Sequence, residues 1–330
     1  MNSCQAVQFP SRTGAGTIQA RIYRPDPLES SSGLLVQIIH GMAEHMARYD
    51  EFCRYLADQG IAVCIHDLPG HGRSVTAADK LGYFGADDAY RRVPLDIDEL
   101  ARITLDHLNG LPGGRKKWRR VLLGHSMGSM ISRLYIAKPD PQLSGVILSA
   151  TAGSQMLKLI PGEILARLSV RRNGPFYPDE FLAKLTAGGF LNRIPQPRTP
   201  VDWLSRDQAV VEAYVADPLC GFTFTAAGYQ DLCGWVRSVT GRRWAARVPA
   251  GLPVYLFAGL EDPVSNYGQG SRQVNRWLTG TGHPVTMKLY PDCRHETLNE
   301  LNKTEVWQDI VSWLETLPAG GNGPAGKGTA

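Results

Sequence analysis

Ser126, Asp262 and His295 are the residues of this chain best placed to do chemistry together. A serine hydroxyl is a poor nucleophile until an imidazole takes its proton, and the imidazole needs a carboxylate to hold its tautomer and stabilise its cation. Ser126 stands in Gly124-His125-Ser126-Met127-Gly128, directly after the apolar run Val121-Leu122-Leu123. Gly-x-Ser-x-Gly between a strand and a helix is a sharp turn that exposes the hydroxyl at the carboxyl edge of a sheet, with glycines where a Cβ would clash. The motif alone is weak, since glycine and serine are common here; the flanking strand and helix carry the inference. Asp262 lies in Gly259-Leu260-Glu261-Asp262-Pro263, after the apolar run from Val254 to Ala258, and His295 follows Met287-Lys288-Leu289-Tyr290. Catalytic groups of a doubly wound sheet sit on such loops after strand ends. The chemistry implied is acyl transfer through a serine ester, in the chain order Ser, Asp, His expected of an α/β-hydrolase triad.

Competing residues are weighed by position. Glu261 neighbours Asp262, but Asp262 ends the turn before Pro263 and is preferred. Asp67 precedes the serine, and Asp67-Leu68-Pro69-Gly70-His71-Gly72 reads as a tight structural turn at the pocket floor. His107 and His283 read as surface groups, and His125 as a neighbour packed beside the turn rather than a proton carrier. An oxyanion needs prepositioned donors, each worth roughly 3 kcal/mol in the transition state. The backbone amide of Met127 is one; that of Met42, in His40-Gly41-Met42-Ala43-Glu44-His45, is the other. His40, Glu44 and His45 could suggest a metal, but no third ligand follows at a metal spacing, so no metal and no cofactor is expected.

These groups require elements to position them. Leu34 to Ile39, Ile61 to Ile65, Val121 to Leu123, Val146 to Leu148, Val254 to Ala258 and Val285 to Leu289 read as buried parallel strands. Tyr49 to Gln59, Pro94 to Leu108, the stretch after Ser126 and Val306 to Leu317 carry helical periodicity, and Ala6 to Tyr23 reads as an edge hairpin. This predicts an α/β-hydrolase fold, a mostly parallel sheet of about eight strands with helices on both faces. Residues 1–150 and 251–317 form the core. Residues 151–250, rich in proline and apolar clusters without another strand, form an inserted helical cap after the sixth strand. Ile160, Ile164, Leu165, Leu168, Phe181, Leu182 and Leu185 of the cap could line an apolar entrance, and Arg206, Asp207 and Asp217 are expected to pair within the cap. Residues 318–330 read as a disordered tail.

Composition bounds the class. Of 330 residues 43% are hydrophobic and 20% charged, with a formal net charge of +4, ordinary for a globular protein and too mild to imply nucleic acid. The basic run from Arg115 to Arg120 reads as a solvated loop guarding a strand. The six cysteines show no paired spacing and read as reduced. With neither a secretory signal nor a transmembrane stretch in view, the cytoplasm is the expected compartment.

The set His40-Gly41-Met42-Ala43-Glu44-His45, Asp67-Leu68-Pro69-Gly70-His71-Gly72-Arg73-Ser74, Gly124-His125-Ser126-Met127-Gly128, the Asp262 loop and His295 resembles the monoacylglycerol lipase and lysophospholipase group of serine hydrolases. Trp203-Leu204-Ser205-Arg206-Asp207 and Asp217-Pro218-Leu219-Cys220 resemble its bacterial branch. The resemblance implies Ser126 as nucleophile, His295 as base, Asp262 as its orienter, Met42 and Met127 as oxyanion donors, and a single-chain lipid ester as substrate, met through at least fleeting membrane contact by the cap. The alternatives are a short-chain esterase, thioesterase or peptidase on the same fold, and a non-catalytic binding protein. The sequence sets no oligomeric state.

Overall fold

The computed structural model describes residues 2–86, 88–154 and 156–318. Its strands are β1 (Asn2–Pro10), β2 (Thr17–Pro25), β3 (Leu34–Ile39), β4 (Ala62–His66), β5 (Arg119–His125), β6 (Leu143–Ser149), β7 (Val254–Gly259) and β8 (Val285–Tyr290). They form one sheet in the order β1-β2-β4-β3-β5-β6-β7-β8. β1 and β2 are the expected antiparallel edge hairpin, β2 also runs antiparallel to β4, and all later pairings are parallel. This is the α/β-hydrolase arrangement, with every apolar run placed in a strand and the ends moved by no more than three residues, the largest shift being the start of β6 at Leu143.

The apolar runs are continuous because both faces are covered. Alternate residues point to opposite sides, so Val36, Ile38, Val121, Leu123, Ile147, Tyr255 and Phe257 share one core with α1 (Asp50–Asp58) and α10 (Lys303–Glu315). Ile39, Leu122, Val146, Leu148, Val254 and Leu256 share the other with α2 (Val93–Asn109), α3 (Met127–Tyr135) and α9 (Gln269–Thr279). α1 ends where Gly60 takes φ +78°, and Pro94 fits the first turn of α2, where no intrahelical donor is needed. Truncating one fully buried strand leucine such as Leu256 to alanine costs about 2–5 kcal/mol.

Between β6 and β7 lie α4 (Met156–Asn173), α5 (Glu180–Ala187), α6 (Gln208–Ala216), α7 (Ala226–Ser238) and the short α8 (Arg242–Ala245). Asp179, Asp207 and Thr225 start α5, α6 and α7 by accepting an amide hydrogen bond from the first turn. No strand interrupts these helices among the described residues; the only pairing there is the isolated bridge of Pro178 with Thr225.

Two surface expectations are corrected. His283 is buried, its Nε2 3.3 Å from the carbonyl oxygen of Ala245. Arg115 and Lys117 of the basic run are exposed, but its end is built into the fold because it enters β5: Arg120 is buried and donates to Gln37 Oε1 (2.8 Å) and Tyr135 Oη (2.6 Å) while pairing with Asp140. Arg119 donates to the carbonyls of Leu317 and Pro318, and Lys116 to those of Leu28 and Ser31. Of the expected tail 318–330, only Pro318 falls within the described residues. No helix of the described residues is long and apolar enough to cross a membrane.

Candidate active site

Ser126 sits between β5 and α3 with φ 52° and ψ −116°, a strained conformation for a residue with a Cβ. The surroundings enforce it. The Ser126 amide donates to Ser149 O (3.0 Å), and the Ser129 amide and hydroxyl both donate to Ser126 O (3.0 and 2.5 Å). A Cβ on Gly124 would meet Ser132 Oγ at 2.3 Å and the Gly128 carbonyl oxygen at 2.4 Å; one on Gly128 would meet the carbonyl oxygens of Ile39 at 2.1 Å and His40 at 2.5 Å. Both motif glycines are therefore required by backbone approach, and the turn delivers Ser126 to a cavity.

Asp262 and His295 arrive from the loops after β7 and β8, 33 residues apart, and meet with Nδ1 2.8 Å from Oδ1. The amides of Val264 and Ser265 donate to Asp262 Oδ1 (2.9 Å) and Oδ2 (3.2 Å), which fixes the carboxylate and keeps Nδ1–H as the donor from the imidazole. Burial alone lowers the pKa of His295, but the charge and hydrogen bond of Asp262, with Glu296 and Glu44 behind, turn the net shift upward. His125, whose ring lies 4.8 Å from that of His295, behaves oppositely: burial and the neighbouring His295 push it down to about 4, and its Nδ1 is 3.1 Å from Ser149 Oγ. It remains neutral packing. Glu261 points away, its Oε2 3.8 Å from Arg294 Nε.

The loop after β3 is held by groups the sequence left without a task. His40 Nε2 accepts from the Leu68 amide (2.9 Å) and His71 Nε2 from the Ala43 amide (3.3 Å), while Asp67 accepts from the amides of Met46 (2.7 Å) and Arg73 (2.8 Å). Asp67 is thus a brace between two loops. Glu44 accepts from the Gly41 amide (2.5 Å), Tyr49 Oη (2.8 Å) and Arg48 (2.6 Å), and Arg48 also binds both oxygens of Glu296 (2.6 Å each). Burial would raise the Glu44 carboxyl, yet Arg48, aided by nearby histidines and Tyr49, holds it at about 2. Sequence reasoning missed this network. Glu44 and Arg48 share an i, i+4 spacing that could have been noticed, but Glu296 is 248 residues beyond Arg48.

Ser126, His295, Met42 and Met127 line one cavity of about 630 Å³. Its walls include Met130, Leu159, Leu182, Leu185, Phe190, Leu204, Phe222, Leu232 and Val236, and Glu44 and Glu296 line it as well. Of the seven apolar residues expected at an entrance, Leu182 and Leu185 line the cavity and Leu165 packs on the core. Ile160, Ile164, Leu168 and Phe181 face outward instead, each more than half exposed. A larger cleft of about 820 Å³, between α2 and the end of α3, shares no residue with this cavity.

The expected ion pairs within residues 151–250 are corrected for Arg206 and Asp217, which pair with residues outside that segment. Arg206 donates to Glu300 through its amide and Nε (3.1 Å each), and Asp217 Oδ2 lies 2.9 Å from His45 Nε2. Asp207 is the start of α6. Around Arg206, the His295 and Glu296 amides donate to the carbonyls of Trp203 (3.3 Å) and Leu204 (2.7 Å), and Arg294 to those of Asp202 and Ser205. The Trp203 segment therefore grips the His295 loop directly.

The Hydrolase_4 family, described as serine aminopeptidase, S33, matches residues 31–302. The chain is 28% identical to the monoacylglycerol lipase of Mycolicibacterium smegmatis over 85% of its own length and 87% of that protein's. It is 31% identical to the monoglyceride lipase of Rattus norvegicus, covering 85% and 82% of the two chains. The crystal structure of a thermostable carboxyl esterase from Bacillus coagulans in complex with glycerol superposes with a TM-score of 0.86 at 30% identity, over 96% of this chain and 99% of that one. The chain thus belongs to the Hydrolase_4 (serine aminopeptidase, S33) family and, within it, to the monoacylglycerol lipase and lysophospholipase group of α/β-hydrolase serine ester hydrolases.

Proposed function

We propose that this protein hydrolyses monoacylglycerols through an acyl-Ser126 intermediate. The carrying observation is the make-up of the cavity: apolar side chains suited to one acyl chain share it with Ser126, His295 and two buried carboxylates, Glu44 and Glu296, which Arg48 bridges. Two carboxylates against the one Arg48 guanidinium suit a neutral glycerol head and oppose a phosphodiester. The relatives named for monoacylglycerol or monoglyceride hydrolysis support the same reading.

In the proposed reaction His295 takes the Ser126 Oγ proton as the oxygen attacks the ester carbon, and Asp262 stays ionised against Nδ1–H. Met127 is the first residue of α3, so its amide has no intrahelical acceptor. The amides flanking Met42 are engaged, Gly41 by Glu44 and Ala43 by His71, leaving the Met42 amide for the oxyanion. His295 returns the proton to the departing glycerol oxygen, then activates water to release the fatty acid. Residues 151–250 act as the cap, and the outward stripe Ile160, Ile164 and Leu168, spaced by four on α4 with Phe181 nearby in sequence on α5, rests on the lipid surface.

The test is an ester panel with purified protein, after confirming that a fluorophosphonate probe labels it and not Ser126→Ala. Long-chain monoacylglycerols are expected to exceed lysophosphatidylcholine of equal chain length at least tenfold in kcat/KM. A reversed ratio overturns the head-group reading, and a labelled enzyme that cleaves only short acyl esters overturns the lipid reading.

A further inference from the structure

The sequence shows no metal spacing, yet the fold brings three metal-binding side chains of different chemistry to one point. His45 ends the loop after β3, whereas Asp217 and Cys220 belong to the turn after α6. His45 Nε2, one Asp217 carboxylate oxygen and Cys220 Sγ all lie within 4.8 Å of one another. We propose that His45, Asp217 and Cys220 form a zinc-class metal site that bridges the loop after β3 to the helical segment above it, with a fourth position open to water.

Imidazole, carboxylate and thiolate are the usual zinc ligands, and three protein ligands with one open position are a stable arrangement for this ion. Tetrahedral coordination at bond lengths of 2.0–2.3 Å sets neighbouring ligand atoms about 3.4–3.6 Å apart. The His45–Asp217 separation of 2.9 Å must open by roughly half an ångström, and the widest separation in the group must close by about 1.2 Å, both within side-chain rotation.

Contacts that need no metal already hold the two segments in place. Asp217 Oδ1 accepts from the Leu219 amide (2.8 Å) and Asp217 O from the Cys220 amide (3.0 Å), which folds the carboxylate and the thiol into one turn. The Ala43 carbonyl, two residues before His45, accepts from the Gly221 amide and from Tyr214 Oη (2.9 Å each). Arg48, the nearby cation, is engaged by Glu44 and Glu296. Burial pushes the Cys220 thiol up to about 12, so the ion must displace its proton, while the His45 ring supplies a lone pair and the Asp217 carboxylate a charge. Thiolate ligation favours zinc and cobalt over magnesium.

The test does not depend on the reaction at Ser126. Cobalt(II) is titrated into the full chain carrying Cys4→Ser, which removes the exposed thiol. The expected result is a near-ultraviolet thiolate-to-cobalt charge-transfer band saturating at one ion per chain, abolished by one equivalent of zinc. The band should vanish with Cys220→Ser added, and His45→Asn should weaken cobalt binding at least tenfold. Zinc, but not magnesium, should raise Tm in the parent and not in the Cys220→Ser protein, whose unchanged ester hydrolysis reports an intact fold. A cobalt spectrum without the charge-transfer band, a band that survives Cys220→Ser, or equal stabilisation by magnesium overturns the proposal.

Discussion

Replacing Asp262 by asparagine tests how the proposed base is built. Both Asp262 oxygens face backbone donors, Val264 N–H at 2.9 Å and Ser265 N–H at 3.2 Å, so the new NH₂ must oppose one of them. The longer contact is the cheaper one to oppose. The amide oxygen then remains on His295 Nδ1–H, the tautomer is kept, and the loss is the charge itself. Two unit charges about 4 Å apart interact by about 4 kcal/mol at an effective dielectric of 20, so kcat/KM should fall about 10³-fold as the imidazolium of the transition state loses its partner. The pH profile adds a second readout. Because Asp262 lifts the His295 pKa above 6.5, the acid limb of wild-type kcat/KM has its midpoint above pH 6.5, and activity declines as pH drops through it. In Asp262→Asn, burial's downward pull is less opposed, so that limb moves to lower pH. Measured with a p-nitrophenyl ester from pH 5 to 9, a loss under tenfold or an unmoved limb would refute the reasoning.

Three further outcomes are expected. Glu44→Gln breaks a buried ion pair and should cost about 3 kcal/mol near neutrality. Since the folded carboxyl is held near 2, below its ordinary 4.5, that stability is present above pH 4.5 and lost as pH falls toward 2, so the Tm gap to wild type should shrink in acid by calorimetry. Gly128→Ala places a Cβ 2.1 Å from the Ile39 carbonyl oxygen and should leave little folded protein, seen as loss of the cooperative melting transition. The double substitution Ile164→Asp with Leu168→Asp should abolish co-sedimentation with liposomes while sparing hydrolysis of a water-soluble ester; retained co-sedimentation would place the lipid contact elsewhere.

The periodicity of the chain was enough to lay out its frame. Leu34 to Ile39 and Val254 to Ala258 are legible as strands because a doubly covered sheet needs unbroken apolar runs, and Gly124 and Gly128 mark a turn that no larger residue can make. Ser126, Asp262 and His295 could be picked out for a related reason: each follows a strand, and parallel strands deliver the loops at their carboxyl ends to one rim. Tertiary structure alone decided what surrounds them. Arg48 meets Glu296 across 248 residues, His45 meets Asp217 across 172, and Arg206 meets Glu300 across 94, contacts with no local period to announce them. His283 and Arg120 were misread for the same reason, because burial of a polar side chain depends on which distant surface closes over it. Local pattern encodes the direction in which a side chain leaves its own strand or helix; strand order and the seating of the inserted helices determine what it finds there.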